Sequence, residues 1–143
     1  MNVEAILRNK GSTVATVQPD ATVGEAVALL RRKAIGALVV SGDGRAVDGI
    51  LSERDLVHAL ADRGAALLDL RVEQLMTHRV VTCSPRDSVG DLMAQMTERR
   101  IRHIPVLRDG ALAGIVSIGD VVKARLDEME YETSSLRSFI AGA

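Results

Sequence analysis

Gly49-Ile50-Leu51-Ser52-Glu53-Arg54-Asp55 and Gly114-Ile115-Val116-Ser117-Ile118-Gly119-Asp120 carry one pattern, Gly-x-x-Ser-x-x-Asp, at positions 65 apart (Gly114 minus Gly49). The likeness continues upstream of both copies. At an offset of 66 (Val89 minus Val23), Ala21-Thr22-Val23-Gly24-Glu25-Ala26 falls on Asp87-Ser88-Val89-Gly90-Asp91-Leu92. Pro19 falls on Pro85, Ile35 on Ile101 and Val40 on Val106. The order of the matches is kept throughout, so the chain is a tandem duplication.

Each copy reads the same way. A short β run (Val14 to Val17; Val80 to Cys83) leads to a proline. An amphipathic helix follows, opened by Thr22 and Glu25 as a capping box, with Ser88 and Asp91 in the same places of the second copy. Val23, Ala26, Val27 and Leu30 recur at helical spacing, as do Val89, Leu92, Met93 and Met96, and the methionines fit core packing better than ligation. Then comes a hairpin. Its arms are Ile35 to Val40 and Ala46 to Leu51 around Ser41-Gly42-Asp43-Gly44; the second copy turns at Arg108-Asp109-Gly110. A second helix runs from about Glu53 to Asp62 and from about Ile118 to Leu126. The tail from Tyr131 to Ile140 reads as a further helix, with Leu136, Phe139 and Ile140 facing a partner surface.

The fold class is therefore α+β. Two strand–helix–strand–strand–helix repeats pack together, because one alone exposes too much apolar sheet. The segments are 1–10 as an N-terminal stretch, 11–64 and 71–126 as the repeats, and 127–143 as a helical tail.

Composition narrows the function. The chain has 143 residues, 47% hydrophobic and 26% charged, with a formal net charge of -1, which suits a globular protein without a pull toward nucleic acid or anionic membrane. Aromatics amount to 1%, so a base-stacking platform is not expected. The stretch Ala34 to Val40 is far short of the about 20 residues a spanning helix needs. No signal-peptide core stands in the first ten residues, and the expectation is a soluble cytoplasmic protein. The single Cys83 excludes an internal disulfide and a cysteine-based zinc site, and a buried structural thiol fits it better than a redox sensor. His58, His78 and His103 show no metal spacing, and neither a nucleophile–base pair nor a Walker-type phosphate loop is visible. Arg31-Arg32-Lys33, at a helix end, suits the negative pole of the helix dipole.

The signature itself admits two readings. Ser52 with Asp55, and Ser117 with Asp120, stand where a strand gives way to a helix and can be simple capping pairs. Gly49 and Gly114 can simply ease the strand entry. The same geometry also suits a ribose, because a helix N-terminus supplies free N–H groups and a carboxylate can accept from vicinal hydroxyls. Spacing alone does not choose.

Gly49…Ser52…Asp55, Gly114…Ser117…Asp120 and the strand Ile101-Arg102-His103-Ile104-Pro105-Val106 together resemble the cystathionine-β-synthase (CBS) domain family, whose pairs form a Bateman module. The resemblance covers residues 11 to 126 and implies a pseudo-twofold pair, two clefts for adenosine-containing ligands, and homodimers. It implies a first cleft with Gly49, Ser52 and Asp55, the last two on the ribose, Val81 and Ile101 beside the base, and Arg102 and His103 near phosphate. It implies a second cleft with Gly114, Ser117 and Asp120 facing Ala15, Ile35, Gly36 and Ala37. Arg102-His103 corresponds to Gly36-Ala37, so only the first cleft receives cationic side chains for a phosphate. The expected function is a regulatory module for AMP, ADP, ATP or an NAD-like ligand, with no catalytic residues, no metal and no bound cofactor of its own. It would signal in trans to a separate protein; the alternative is an interaction scaffold with vestigial clefts.

Overall fold

The computed structural model describes residues 1–142. Five α-helices and two small sheets occur in the order α1 (Val3–Lys10), β1 (Thr16–Val17), α2 (Val23–Lys33), β2 (Ala37–Val40), β3 (Gly49–Ser52), α3 (Glu53–Arg63), α4 (Val89–Arg99), β4 (His103–Arg108), β5 (Ala111–Ser117) and α5 (Ile118–Gly142). Two 3-10 segments, Gly64–Asp69 and Val72–Gln74, join α3 to the second half. This is the α+β tandem pair that the duplication implies.

Helices α2 and α4 start alike. Thr22 Oγ1 accepts from the Glu25 N–H while the Glu25 carboxylate accepts from the Thr22 N–H, and Ser88 Oγ accepts from the Asp91 N–H. They also stop alike, on Ala34 and Arg100, both left-handed at φ 54°. The Arg31-Arg32-Lys33 run occupies the exposed last turn of α2. Strand β2 pairs antiparallel with β3 and parallel with β1, and β4 pairs antiparallel with β5.

The second hairpin closes where the sequence indicates. Asp109 at φ 52° and Gly110 at φ 81° supply the two left-handed residues that a tight two-residue turn needs. The first does not. Asp43 Oδ1 accepts from the Arg45 and Ala46 amides, both at 2.8 Å, so these residues are tied into the loop and the return strand begins only at Gly49. The other β runs are shorter than expected as well. Val80 to Cys83 forms no strand: Val80 and Val81 turn toward a cleft and only Cys83 bridges to Val106. The tail is no separate helix. With neither glycine nor proline between Asp120 and Ala141, α5 runs unbroken for 25 residues.

The first ten residues, read as a bare segment, form a helix capped by Asn2 Oδ1 on the Ala5 amide. Its Val3, Ile6 and Leu7 are buried in the core of the second repeat with Val89, Leu92, Ile104, Val106 and Val116. The segment between the repeats does the same for the first, where Val72, Leu75 and Met76 pack against Leu30, Leu38, Val40 and Leu51. Cys83 is buried, and that burial, with the Asp87 charge, pushes its thiol up to about 12. Such a thiol stays protonated and unreactive at neutral pH.

Because α1 completes a core, Ile6→Ala is expected to destabilise the protein by about 2–5 kcal/mol, the usual cost of truncating a buried aliphatic side chain. Chemical denaturation checks this; a change under about 0.5 kcal/mol, as for a surface position, would refute the packing role.

Candidate functional site

Where β3 ends, Ser52 caps α3. Its Oγ accepts from the Asp55 N–H at 3.4 Å, while Asp55 Oδ2 accepts from the Ser52 N–H at 2.9 Å and from Ser52 Oγ at 3.1 Å. Capping therefore engages one carboxylate oxygen. The other, Oδ1, meets only the Thr77 hydroxyl, at 3.4 Å. The capping and ligand readings are thus compatible in one side chain, because a carboxylate has lone pairs for both.

This carboxylate opens on a cleft of about 970 Å³ between the repeats. Of the residues assigned to the first site, Ser52, Asp55, Val81, Ile101, Arg102 and His103 line it. Gly49 does not. It lies behind, where an added Cβ would come 2.5 Å from Met76 Sδ and 3.0 Å from the Thr77 carbonyl oxygen. Gly36, assigned to the second site, also lines this first cleft; a Cβ there would be 3.2 Å from His103 Cε1.

The cleft holds side chains that spacing did not single out. Arg54, Arg79, Arg99 and Arg100 join Arg102, with His58 nearby, against only Glu53 and Asp55. Arg54 reaches across the repeats and donates to the Arg100 carbonyl at 3.0 Å, which fixes one wall to the other. Thr77 and Val80 complete the lining near Asp55. These residues arrive from several separate segments, so no local motif could reveal them. A cleft with this excess of guanidinium groups, apolar at Val81 and Ile101 and carrying an acceptor at one end, suits an anionic ligand with a flat apolar part and hydroxyls.

His103 stands at the junction of the repeats. Burial is the largest influence and lowers its pKa below 6.5; Lys10 and Arg102 act in the same direction, and Glu53 and Asp120 oppose them. The lowered value favours the neutral imidazole at pH 7.

The second signature has another neighbour. Asp120 Oδ2 accepts from the Ser117 N–H at 2.9 Å, and Asp120 N–H donates to Ser117 Oγ at 3.2 Å. The same Oδ2 also takes Lys10 Nζ at 2.7 Å, and Lys10 donates to the Ile115 carbonyl at 2.9 Å. Gly114 lies under α1, with an added Cβ only 2.6 Å from Leu7 Cδ2. Ala15 and Ile35 pack on the first-repeat core, and Ala37 is buried in β2. Burial alone would raise the Asp120 pKa, but the Lys10 ammonium and the Ser117 amide hold it below 3.8. Lys10 carried no signal in the sequence, because it lies 110 residues from its partner.

Among the described residues, no helix is long and apolar enough to cross a membrane, and no group of His, Cys, Asp and Glu could hold a metal ion.

Comparison with known proteins adds to this geometry. The CBS domain model matches twice, over residues 7–62 and 72–127. The CBS-domain containing protein ATU1752 from Agrobacterium tumefaciens superposes with a TM-score of 0.84 and 50% identity, covering 87% of this chain and 99% of that one. The mitochondrial CBS domain-containing protein CBSX3 of Arabidopsis thaliana is 39% identical over 127 residues, which are 86% of this chain and 62% of that protein. This chain thus spans somewhat under two thirds of the plant protein. The CBS domain pair of protein MJ0100, crystallised with 5′-methylthioadenosine and S-adenosyl-L-methionine, shares the fold with a TM-score of 0.77 at 24% identity, covering 90% of this chain and 98% of that one.

Removing the Lys10 charge leaves Asp120 with its burial. Lys10→Met is expected to raise the Asp120 pKa, read by carbonyl NMR against pH. The sign follows from the lowered native value: the pair stabilises the fold above the unfolded carboxylate pKa, and that stability is lost as pH falls through the native value. In Lys10→Met this acid-dependent loss should shrink, because the native value moves back toward the unfolded one; an unchanged Asp120 titration would refute the pairing.

Proposed function

This chain belongs to the CBS domain family as a tandem pair, and from that we propose that it is a regulatory adenine-nucleotide-binding module. Its ligand is AMP, ADP, ATP or an NAD-like molecule, held in the first cleft without turnover. The observation that carries this reading is the juxtaposition, in one cleft, of a carboxylate oxygen left over from helix capping with a cluster of arginines. Asp55 Oδ1 accepts from the ribose hydroxyls. Val81 and Ile101 flank the base, and Arg102 with His103 faces the phosphate. The extra guanidinium groups of Arg79, Arg99 and Arg100 favour more than one phosphate, or a diphosphate bridge, over an uncharged nucleoside. The MJ0100 pair, with its adenosine-containing ligands, lends support at the level of fold.

The second cleft takes ligand weakly or not at all. Its ribose-facing carboxylate already holds an ammonium, and residues 36 and 37 supply no cation. The module works in the cytoplasm as a homodimer and acts on a separate protein. Ligand shifts the angle between repeats or protomers, which requires unequal affinity for the two arrangements.

Isothermal titration calorimetry with AMP, ATP and NAD tests the reading. Asp55→Ala is expected to weaken binding roughly tenfold to a hundredfold, the worth of a charged hydrogen bond. Asp120→Ala should change it little. Asp55→Ala also removes an acceptor from the α3 cap, worth about 1 kcal/mol, so the melting temperature is read beside it. A lowered melting temperature with unchanged affinity would leave Asp55 a cap only. No binding of any of the three ligands would favour an interaction scaffold.

His103 gives a second test. A phosphate stabilises the imidazolium, so AMP is expected to raise the His103 pKa, followed by NMR titration. The stability sign agrees. With a lowered native pKa, the protein without nucleotide loses stability as pH falls from about 6.5 toward that value, because the unfolded chain binds the proton first. Bound nucleotide should reduce this loss. A His103 titration that AMP leaves unmoved would remove phosphate from its surroundings.

A further inference from the structure

Helix α5 packs on its own body through Val121 and Ala124, both buried, and through Glu128, which holds the Met1 ammonium at 2.7 Å and Arg125 at 2.8 Å. The opposite side of the helix carries a second apolar stripe. Val122, Leu126, Met129, Thr133, Leu136 and Ile140 succeed one another at steps of four, three, four, three and four. Its apolar members are between 46% and 66% exposed. Counted from Gly119, the six steps average 3.5 residues, the period at which two helices keep one seam in contact by supercoiling. With Gly119 at its head, the pattern fills three heptads.

The flanking charges say what covers the stripe. Arg125 and Glu132 border it on one side; Lys123, Glu130 and Arg137 border it on the other. In a parallel, in-register pair, each residue of the first set faces the residue five positions further along the other helix. Arg125 then meets Glu130 of a second copy, and Glu132 meets Arg137, so both contacts are attractive. Arg125 is shared with its own Glu128, but Lys123, Glu130, Glu132 and Arg137 form no ion pair among the described residues. An antiparallel pair can also match these charges, when centred between residues 127 and 128. That register sets Ile140 opposite residue 115, which lies in β5 rather than on the helix, and leaves it uncovered. Of the two registers that match the charges, the parallel one alone covers all six layers.

We infer that α5 of one chain pairs with α5 of a second copy as a parallel, in-register, two-stranded coiled coil from Val122 to Ile140. The inference rests on the homodimer proposed above and gives that dimer its seam and orientation. The two bodies then lie side by side at the same end of the coiled coil, with their clefts related by a twofold axis along it.

Sedimentation equilibrium of the full chain, with two variants, tests this. Leu136→Glu combined with Ile140→Glu alters only exposed side chains, so thermal unfolding of the body should hold while the dimer Kd rises at least about tenfold. Thr133→Cys, under mild oxidation, should give a disulfide-linked dimer, since equivalent residues of that layer meet across the seam. The wild type, with Cys83 buried, should stay unlinked. A wild-type chain that sediments as a monomer would overturn both the seam and the homodimer. A dimer indifferent to the double substitution, or one in which Thr133→Cys fails to cross-link, would overturn the seam while leaving the homodimer standing.

Discussion

Two close approaches, Leu7 on Gly114 and Met76 on Gly49, govern the rest of this molecule. Neither sheet is large enough to bury a core by itself, so each borrows the segment that precedes the other repeat's strands. The segment must cross the last strand at backbone distance, and a Cβ on either glycine would collide with it. The crossing fixes what comes next in the chain. Three residues beyond Leu7, Lys10 reaches Asp120; one residue beyond Met76, Thr77 reaches Asp55. The glycine of the signature is therefore a packing residue that decides which side chain approaches the carboxylate.

The carboxylates stand close to the minimum needed for two duties. An uncapped helix start leaves backbone donors unsatisfied, and Ser52 with Asp55 settles two of them, one through Asp55 Oδ2 and one through Ser52 Oγ. The second oxygen is free because a carboxylate accepts more hydrogen bonds than a cap uses. This explains why sequence reasoning could not separate cap from site: no separation exists in the chemistry. The distinction lies in what else reaches the carboxylate, a question of tertiary contact.

Much of the architecture was legible for local reasons. The duplication, the capping boxes and the Asp109-Gly110 turn are carried by adjacent residues whose backbone demands are strong. What stayed hidden depends on distance along the chain. Helix α1 has eight residues, too few to be stable alone, and its Val3, Ile6 and Leu7 gain meaning only from the second-repeat core. The Val80 to Cys83 run has strand composition, yet Arg79, Val80 and Val81 wall the cleft and only Cys83 bridges to β4. The arginines of that cleft come from α3, α4, the segment between repeats and the entry to β4, and no window of sequence holds them together.

A duplicated chain begins with two equal clefts, and single side chains suffice to make them unequal. A ribose entering the first would meet an oxygen that carries only a neutral hydroxyl at 3.4 Å, a long and weak hydrogen bond. In the second, the capping oxygen Oδ2 of Asp120 already takes an ammonium at 2.7 Å that also bonds the Ile115 carbonyl. Both partners of that ion pair keep some exposure, at 32% and 23% of their side chains, so solvent screening limits the pair to about 1 kcal/mol. A ligand that broke the pair would forgo that amount, near a tenfold ratio of affinities, before the absent cations at residues 36 and 37 are counted. The inequality also has a direction. Lys10 ends the helix that closes the second-repeat core, so a ligand that displaced it would loosen α1 from Ile115 and Asp120, whereas one in the first cleft would leave that contact alone. The two halves thus differ in what binding would disturb as well as in how tightly they would bind.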